Sequence, residues 1–188
     1  MFIYKKIRFL LFLILGSISF FGYSQTVTIS GTVTTPNGKP LDQVEVSTTT
    51  INGTVTSTTD TDGNYTLEVP INYEYTLNLQ RDTDLGEGLS VSDMFKMRKH
   101  ILAIENLEPL YQIAADLNND GNVTSFDMLM LKIFLITGEP FTVPSWRLFR
   151  TDDPTDISTF VEAETGILGS DLSGFNFIGL KSGNVDCH

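Results

Sequence analysis

The feature that most constrains this chain is a stretch of twelve residues, 116–127, that reads DLNNDGNVTSFD. Oxygen-bearing side chains occupy its first, third, fifth, ninth and twelfth positions, and a glycine occupies its sixth. Calcium takes about six to eight oxygen ligands, and a loop of this length supplies them from positions 1, 3, 5, 7, 9 and 12. The spacing therefore predicts a calcium-binding loop.

Each ligand position of the loop holds a suitable donor, and Gly121 stands where the chain must turn sharply. The alternative is a polar turn that caps a helix, with Ser125 as the N-cap. That alternative accounts for one or two polar residues, but not for the whole spacing. Magnesium fits less well because it demands a tighter octahedron, and zinc is disfavoured because the loop has no Cys or His. The predicted ligands are Asp116, Asn118, Asp120, the carbonyl of Asn122, Thr124 and Asp127.

A second, degenerate copy of the pattern lies 34 residues upstream. The residues after both loops, DMFKMRKHIL and DMLMLKIFLI, also align, so the duplication includes a helix. In the first copy Gly86 replaces the carboxylate of position 5, and Glu87 occupies the glycine position. A non-glycine residue at positive φ costs about 1 kcal/mol, so this loop either follows another path or is empty. Its candidate ligands are Asp82, Asp84, Gly88, Ser90 and Asp93.

The amino terminus has the layout of a secretory signal peptide, predicted over residues 1–24. Basic residues precede an apolar run over 9–21, and small residues precede Gln25. A membrane anchor is the alternative, but the run is shorter than the span of about 20 residues that a bilayer requires. We therefore expect a secreted or cell-surface protein without a membrane span after cleavage.

The composition restricts the partners and the chemistry. The net charge of −11 disfavours nucleic acid and anionic membranes, and it suits cations. Cys187 is the single cysteine, so no intramolecular disulfide can form; the thiol is either inert or forms an intermolecular disulfide. The sequence contains no nucleophile elbow, phosphate loop or paired base, and we expect no enzymatic activity, no small-molecule substrate and no cofactor other than calcium.

The residue pattern changes twice along the chain. Residues 25–80 alternate apolar and polar residues between turns, which predicts a small all-β domain; DTDG at 60–63 is predicted to be one of these turns. Residues 81–139 have helical spacing. Residues 140–188 predict an irregular tail with short strands. The fold class is therefore all-β followed by a small all-α module.

Two family resemblances follow from these segments. The stretches ISGTVTTPNGKPLDQVEV and TDTDGNYTLEV resemble the carboxypeptidase regulatory-like domain, a transthyretin- or Ig-like β-sandwich, which implies a spacer or presenting module. Residues 82–137 resemble a dockerin. The two EF-hand-like loops lack a proper entering helix, since Pro109 limits the helix before Asp116 to 109–115, and Asp rather than Glu stands at position 12.

The dockerin resemblance implies a calcium-dependent protein partner, a cohesin domain on a scaffolding protein, often in polysaccharide degradation. The contact positions that it implies differ between the two copies, so two equivalent binding orientations are not expected. They are Val91, Ser92, Arg98 and Lys99 in the first copy, and Ser125, Phe126, Lys132 and Ile133 in the second.

Two questions stay open at this point. Residues 128–136 are apolar except for Lys132, and such a helix is either buried by its neighbours or presents an exposed strip to a partner. The docking function also has an alternative: a structural or adhesive surface module in which calcium only stiffens the domain.

Overall fold

The fold is described by a computed structural model that covers residues 25–83, 85–150 and 164–186. The predicted signal peptide, Asp84 and Cys187 lie outside these residues. Three helices are present in the described part: α1 is Val91–Ile101, α2 is Pro109–Ala115 and α3 is Ser125–Thr137. Its strands are β1 Thr26–Thr34, β2 Glu45–Thr50, β3 Gly53–Thr58, β4 Asn64–Pro70, β5 Glu74–Gln80, β6 Trp146–Arg150, β7 Glu164–Ile167 and β8 Phe177–Lys181.

The strands form two four-stranded sheets, in the orders β4-β1-β8-β6 and β3-β2-β5-β7. Alternate residues of β1, β4 and β5 point into the space between the sheets, so that Ile29, Leu67 and Leu77 are buried in one core. The predicted fold class, a β-sandwich followed by a small helical module, is confirmed.

Strands from residues 146–181 complete both sheets. β8 pairs in parallel with β1, through Val33 opposite Phe177, and β6 pairs antiparallel with β8. β7 pairs antiparallel with β5 in the other sheet. The sequence predicts short strands in this tail but not their partners, because the pairing joins residues far apart along the chain. The domain boundaries stay a prediction, although the sandwich uses strands from both sides of the helices.

The approach of the tail to β1 requires a glycine. A Cβ atom on Gly31 would overlap the backbone carbonyl of Phe175. On the neighbouring strand, the buried hydroxyl of Tyr65 donates to the same carbonyl oxygen at 2.6 Å. The segment 171–177 therefore packs closely against β1 at Gly31 and is hydrogen-bonded to β4 through Tyr65.

The DTDG sequence is a turn, as predicted. Asp60 Oδ1 accepts hydrogen bonds from the backbone amides of Asp62 at 3.0 Å and Asn64 at 2.8 Å. Gly63 adopts a positive φ of 75°. The hydrogen bond from the Asn64 amide is the main reason that the pKa of Asp60 is lowered.

The helical module has its own core, to which the end of the described chain contributes. Met97 of α1, Leu131 of α3 and Val185 are buried together, with Ala115 and Leu117 between them. A smaller cluster joins the module to the sandwich: Phe149, Ile178 and Leu180 pack against Leu110 and Ile113 of α2. Within the described residues, none of the helices is long and apolar enough to cross a bilayer.

Candidate calcium loop and docking helices

The loop 116–127 is closed at its start by the carboxylate of Asp116. Asp116 follows the last residue of α2, and its Oδ1 accepts from the amide of Asp120 at 3.1 Å, while Oδ2 accepts from the amide of Gly121 at 2.8 Å. Gly121 has a φ of 84°, which an L-residue adopts only with strain. The glycine predicted to make the sharp turn therefore makes it.

Asp127 closes the loop from its other end. Its Oδ1 accepts from the amide of Leu117 at 2.9 Å, and its Oδ2 accepts from the amide of Thr124 at 2.8 Å. Thr124 and Asp127 form a capping box at the start of α3. The N-cap is thus Thr124, and Ser125, the N-cap of the alternative interpretation, is the first residue of the helix.

Two charged groups of this loop are buried. Asp116 is 6% exposed and Asp127 is 0% exposed, and neither forms a salt bridge with any basic side chain of the described residues. A buried charge is normally paired or bound to a metal. In this structure their oxygens accept from backbone amides. The predicted metal ligands of the loop are all oxygen atoms, so its ligand chemistry fits calcium rather than zinc.

The remaining predicted ligands lie nearer to the surface. The exposed Asp120 accepts from Asn118 Nδ2 at 2.7 Å and from the amide of Asn122 at 2.9 Å. Across residues 25–83, 85–150 and 164–186, the structure does not assemble three or more His, Cys, Asp or Glu side chains into a metal-type cluster. The six-residue ligand set therefore stays a prediction, whose donor chemistry and loop turn agree with calcium.

The first loop has the same end but a different beginning. Ser90 and Asp93 form a capping box at α1, in which Asp93 Oδ2 accepts from the Ser90 amide at 2.8 Å. Asp82 is exposed, and Glu87 forms a salt bridge with Arg81 at 2.9 Å. Gly88 has a positive φ of 70°. The structure thus brings Ser90 and Asp93 together, and the five-residue ligand set of this loop stays a prediction.

The predicted contact positions are all on the surface of α1 or α3: Val91, Ser92, Arg98, Lys99, Ser125, Phe126, Lys132 and Ile133 are exposed. Three further apolar residues, Phe95, Leu129 and Ile136, are exposed beside them. The sequence analysis missed Phe95. It left Leu129 and Ile136 open as part of an exposed strip, and both continue the helical spacing of Phe126 and Ile133.

Different faces of α3 are buried and exposed, and contact of the exposed face with a partner stays a prediction. Leu131 and Phe134 are buried, the first against Met97 and Val185. Leu129 and Ile136 face solvent. The helix is therefore both a core element and a carrier of an exposed apolar row.

The fold and these paired loop–helix units define a modular protein, with a β-sandwich next to a duplicated capped-helix unit. Residues 28–83 match the family model of the carboxypeptidase regulatory-like domain, and residues 89–136 match that of the dockerin type I domain. The chain carries these two domains in this order, as the sequence predicts. None of the curated proteins compared with the chain matches it.

These matches support part of the predicted function. Both domains are non-catalytic modules. Type I dockerin domains bind calcium, dock onto a protein partner and occur in extracellular proteins.

Proposed function

We propose that this chain is an exported, calcium-dependent docking module that binds a cohesin-type domain of a scaffolding protein, in an assembly that degrades polysaccharides. The observation that carries the proposal is a row of exposed apolar side chains on α3 that starts beside the calcium loop. The predicted signal peptide supports export, and the dockerin match supports a protein partner.

The apolar row lies on one face of α3. Its four members are spaced by three or four residues, as residues on one helix face must be. They are Phe126, Leu129, Ile133 and Ile136, with 55%, 47%, 41% and 72% of their surface exposed. A contiguous apolar surface of this kind is typical of an interaction site, and a cohesin-type β-sheet face is the occupant that the dockerin match favours.

The calcium loop would control this face through the start of α3. The buried carboxylates of Asp116 and Asp127 repel each other when no cation neutralises them. Calcium that binds only the closed loop stabilises it by about 2.7 kcal/mol at a hundredfold excess over its dissociation constant. The ion would thereby order the first turn of α3, where the apolar row begins.

The corresponding face of α1 has a different chemistry. With the offset of 34 residues, the positions of the apolar row hold Ser92, Phe95, Lys99 and Leu102 in the first repeat. Lys99 forms a salt bridge with Glu105 at 2.8 Å. If the helices exchanged places, a partner surface that fits the apolar row of α3 would meet Ser92 and the Lys99–Glu105 ion pair in place of Phe126 and Ile133. We infer a single binding orientation.

A panel of purified, immobilised cohesin domains tests the proposal. The calcium-loaded chain should bind at least one of them; Ile133→Asp should weaken that binding at least tenfold but leave calcium affinity unchanged. Asp116→Asn should weaken both. The matched control is Ile51→Asp, which places the same charge at an exposed isoleucine of the sandwich. Equal binding by Ile133→Asp and the native chain would refute the docking face.

A structural or adhesive module is the second candidate function. The contact of Phe149, Ile178 and Leu180 with α2 favours it, because this cluster fixes the helical module to the sandwich. Under this alternative, calcium would raise the melting temperature, and none of the cohesin domains would bind at any calcium concentration.

A further inference from the structure

The first repeat is closed by the far end of the described chain. Asp93 Oδ1 accepts from the backbone amide of Val185 at 3.0 Å, while Oδ2 accepts from the Ser90 amide at 2.8 Å. In the second repeat, Asp127 makes the same two bonds with Leu117 and Thr124, at 2.9 and 2.8 Å. Val185 therefore occupies, around α1, the place that Leu117 occupies around α3.

The two donating segments also have the same residue pattern. Residues 115–118 read ADLN and residues 183–186 read GNVD, each a small residue, an Asp or Asn, an apolar residue, and an Asp or Asn. Leu117 and Val185 are buried in one cluster, 0% and 2% exposed. Asp116 and Asn184 are both 6% exposed. The second segment also lies beside the start of the first, because the Gly183 amide donates at 2.7 Å to the carbonyl of Ala114, the residue before ADLN.

The residues that precede α1 in the sequence lie elsewhere. Thr83 is the counterpart of Leu117 in the 34-residue offset, yet the bond to Asp93 comes from Val185. Arg81 is buried against the sandwich, where its Nε donates to the Asp42 carbonyl at 2.9 Å, and it holds Glu87 by a salt bridge of 2.9 Å. The described residues offer the exposed Asp82 carboxylate no hydrogen-bond donor. The family match also begins only at Leu89.

We propose that the first repeat is split, and that Gly183–Asp186 takes the place of the amino-terminal half of its loop. Asp82 and Asp84 then do not bind calcium. The Lys96 ammonium lies 2.8 Å from Asp186 Oδ2, so a side chain of α1 itself supplies a positive charge to the inserted segment. The inference rests on the proposed function only in taking the second loop as the calcium-binding reference.

Amide hydrogen exchange on the whole secreted chain in calcium buffer tests this inference. Val185→Pro removes the N–H that Asp93 accepts, and Val185→Ala keeps it. We expect exchange in α1 to rise at least tenfold in Val185→Pro and by a smaller factor in Val185→Ala, with β2 and β3 protected in both. Unchanged protection of α1 in Val185→Pro would overturn the inference.

Calorimetry of the Asp82→Asn, Asp84→Asn double variant decides the question independently, even if Val185→Pro does not fold. The calcium stoichiometry and affinity should equal those of the native chain, and the loss of one bound ion would overturn the inference. Asp116→Asn, measured alongside, tests the second loop. A failure to bind calcium at Asp116 would therefore be recognised as a failure of the proposed function and not of the split repeat.

Discussion

At the scale of single residues, Tyr65 links the tail to the sandwich and gives it a pH dependence. Burial raises the pKa of Tyr65 above its ordinary value of 10.0, because the phenolate cannot be solvated there. The neutral hydroxyl donates to the Phe175 carbonyl. This contribution to stability is complete below the unfolded pKa and is lost progressively as the pH rises above it.

Tyr65→Phe should lower the free energy of unfolding at pH 8 by about 1 kcal/mol, since it removes one buried hydrogen bond. It should also remove the tyrosine-dependent fall in stability between pH 10 and pH 11. Urea unfolding at several pH values measures both effects. Tyr73→Phe is the control, because Tyr73 is 44% exposed. Parallel pH profiles for native and Tyr65→Phe chains would contradict the assignment.

Residue spacing predicted the local features of the site but not the distant ones. The turn at Gly121 and the position of Asp127 could be predicted from the sequence because one short loop contains all their hydrogen-bond partners. The hydrogen bond of Val185 could not be predicted, since its acceptor lies 92 residues away and GNVD resembles an ordinary polar turn. The exposure of Phe95 depends on which face of α1 is left uncovered by α3 and the tail, and the helical period alone does not determine that face.

At the scale of elements, α1 and α3 begin in the same way, and this predicts equal sensitivity at their N-caps. Thr124→Ala removes a hydroxyl that accepts from the Phe126 amide at 3.2 Å and donates to Asp127 Oδ2 at 3.0 Å. Ser90→Ala removes the equivalent group of α1. Each should cost about 1 kcal/mol of stability, and Thr124→Ser should cost much less.

Urea unfolding at fixed calcium concentration measures these costs, and calorimetry shows whether Thr124→Ala also weakens calcium binding. The expected distinction is that only the α3 variant changes calcium affinity. Native stability in both alanine variants would mean that other contacts fix the first turn of each helix.

The elements themselves were largely predictable, because each has a local signal. Pro109 limits α2 to Pro109–Ala115, seven residues in the structure, as its fixed φ and missing N–H require. β1 to β5 follow the alternation of apolar residues. β6 and β8 are short, and all five residues of β8 are buried. The alternation that identifies a half-exposed strand is therefore missing from β8.

At the scale of the whole molecule, the strands after residue 140 make the two matched domains dependent on each other. A chain that ends at residue 139 lacks β6, β7 and β8, which leaves β1 without its parallel neighbour and removes Phe177 from the sandwich core. Each lost large apolar side chain contributes about 1.5–3 kcal/mol. We expect this truncated chain to show no cooperative thermal transition.

Circular dichroism and proton NMR of the chains 25–139 and 25–188, both in calcium buffer, check this expectation. A cooperative transition in the shorter chain, at the melting temperature of the longer one, would show that the sandwich folds without the tail. Partial helix in the shorter chain would agree with local propensity and would not require the native packing.

The parallel pairing of β8 with β1 has a consequence for biosynthesis. β8 is an inner strand of its sheet but follows the helical module in the sequence, so ribosomes must translate beyond residue 181 before that sheet can close. Until then β1 to β5 lack a complete hydrophobic core. A chain that has not yet folded can still pass through a narrow export channel. If the chain is exported as proposed, late closure would keep it compatible with secretion and delay the rigid form until it has left the cell.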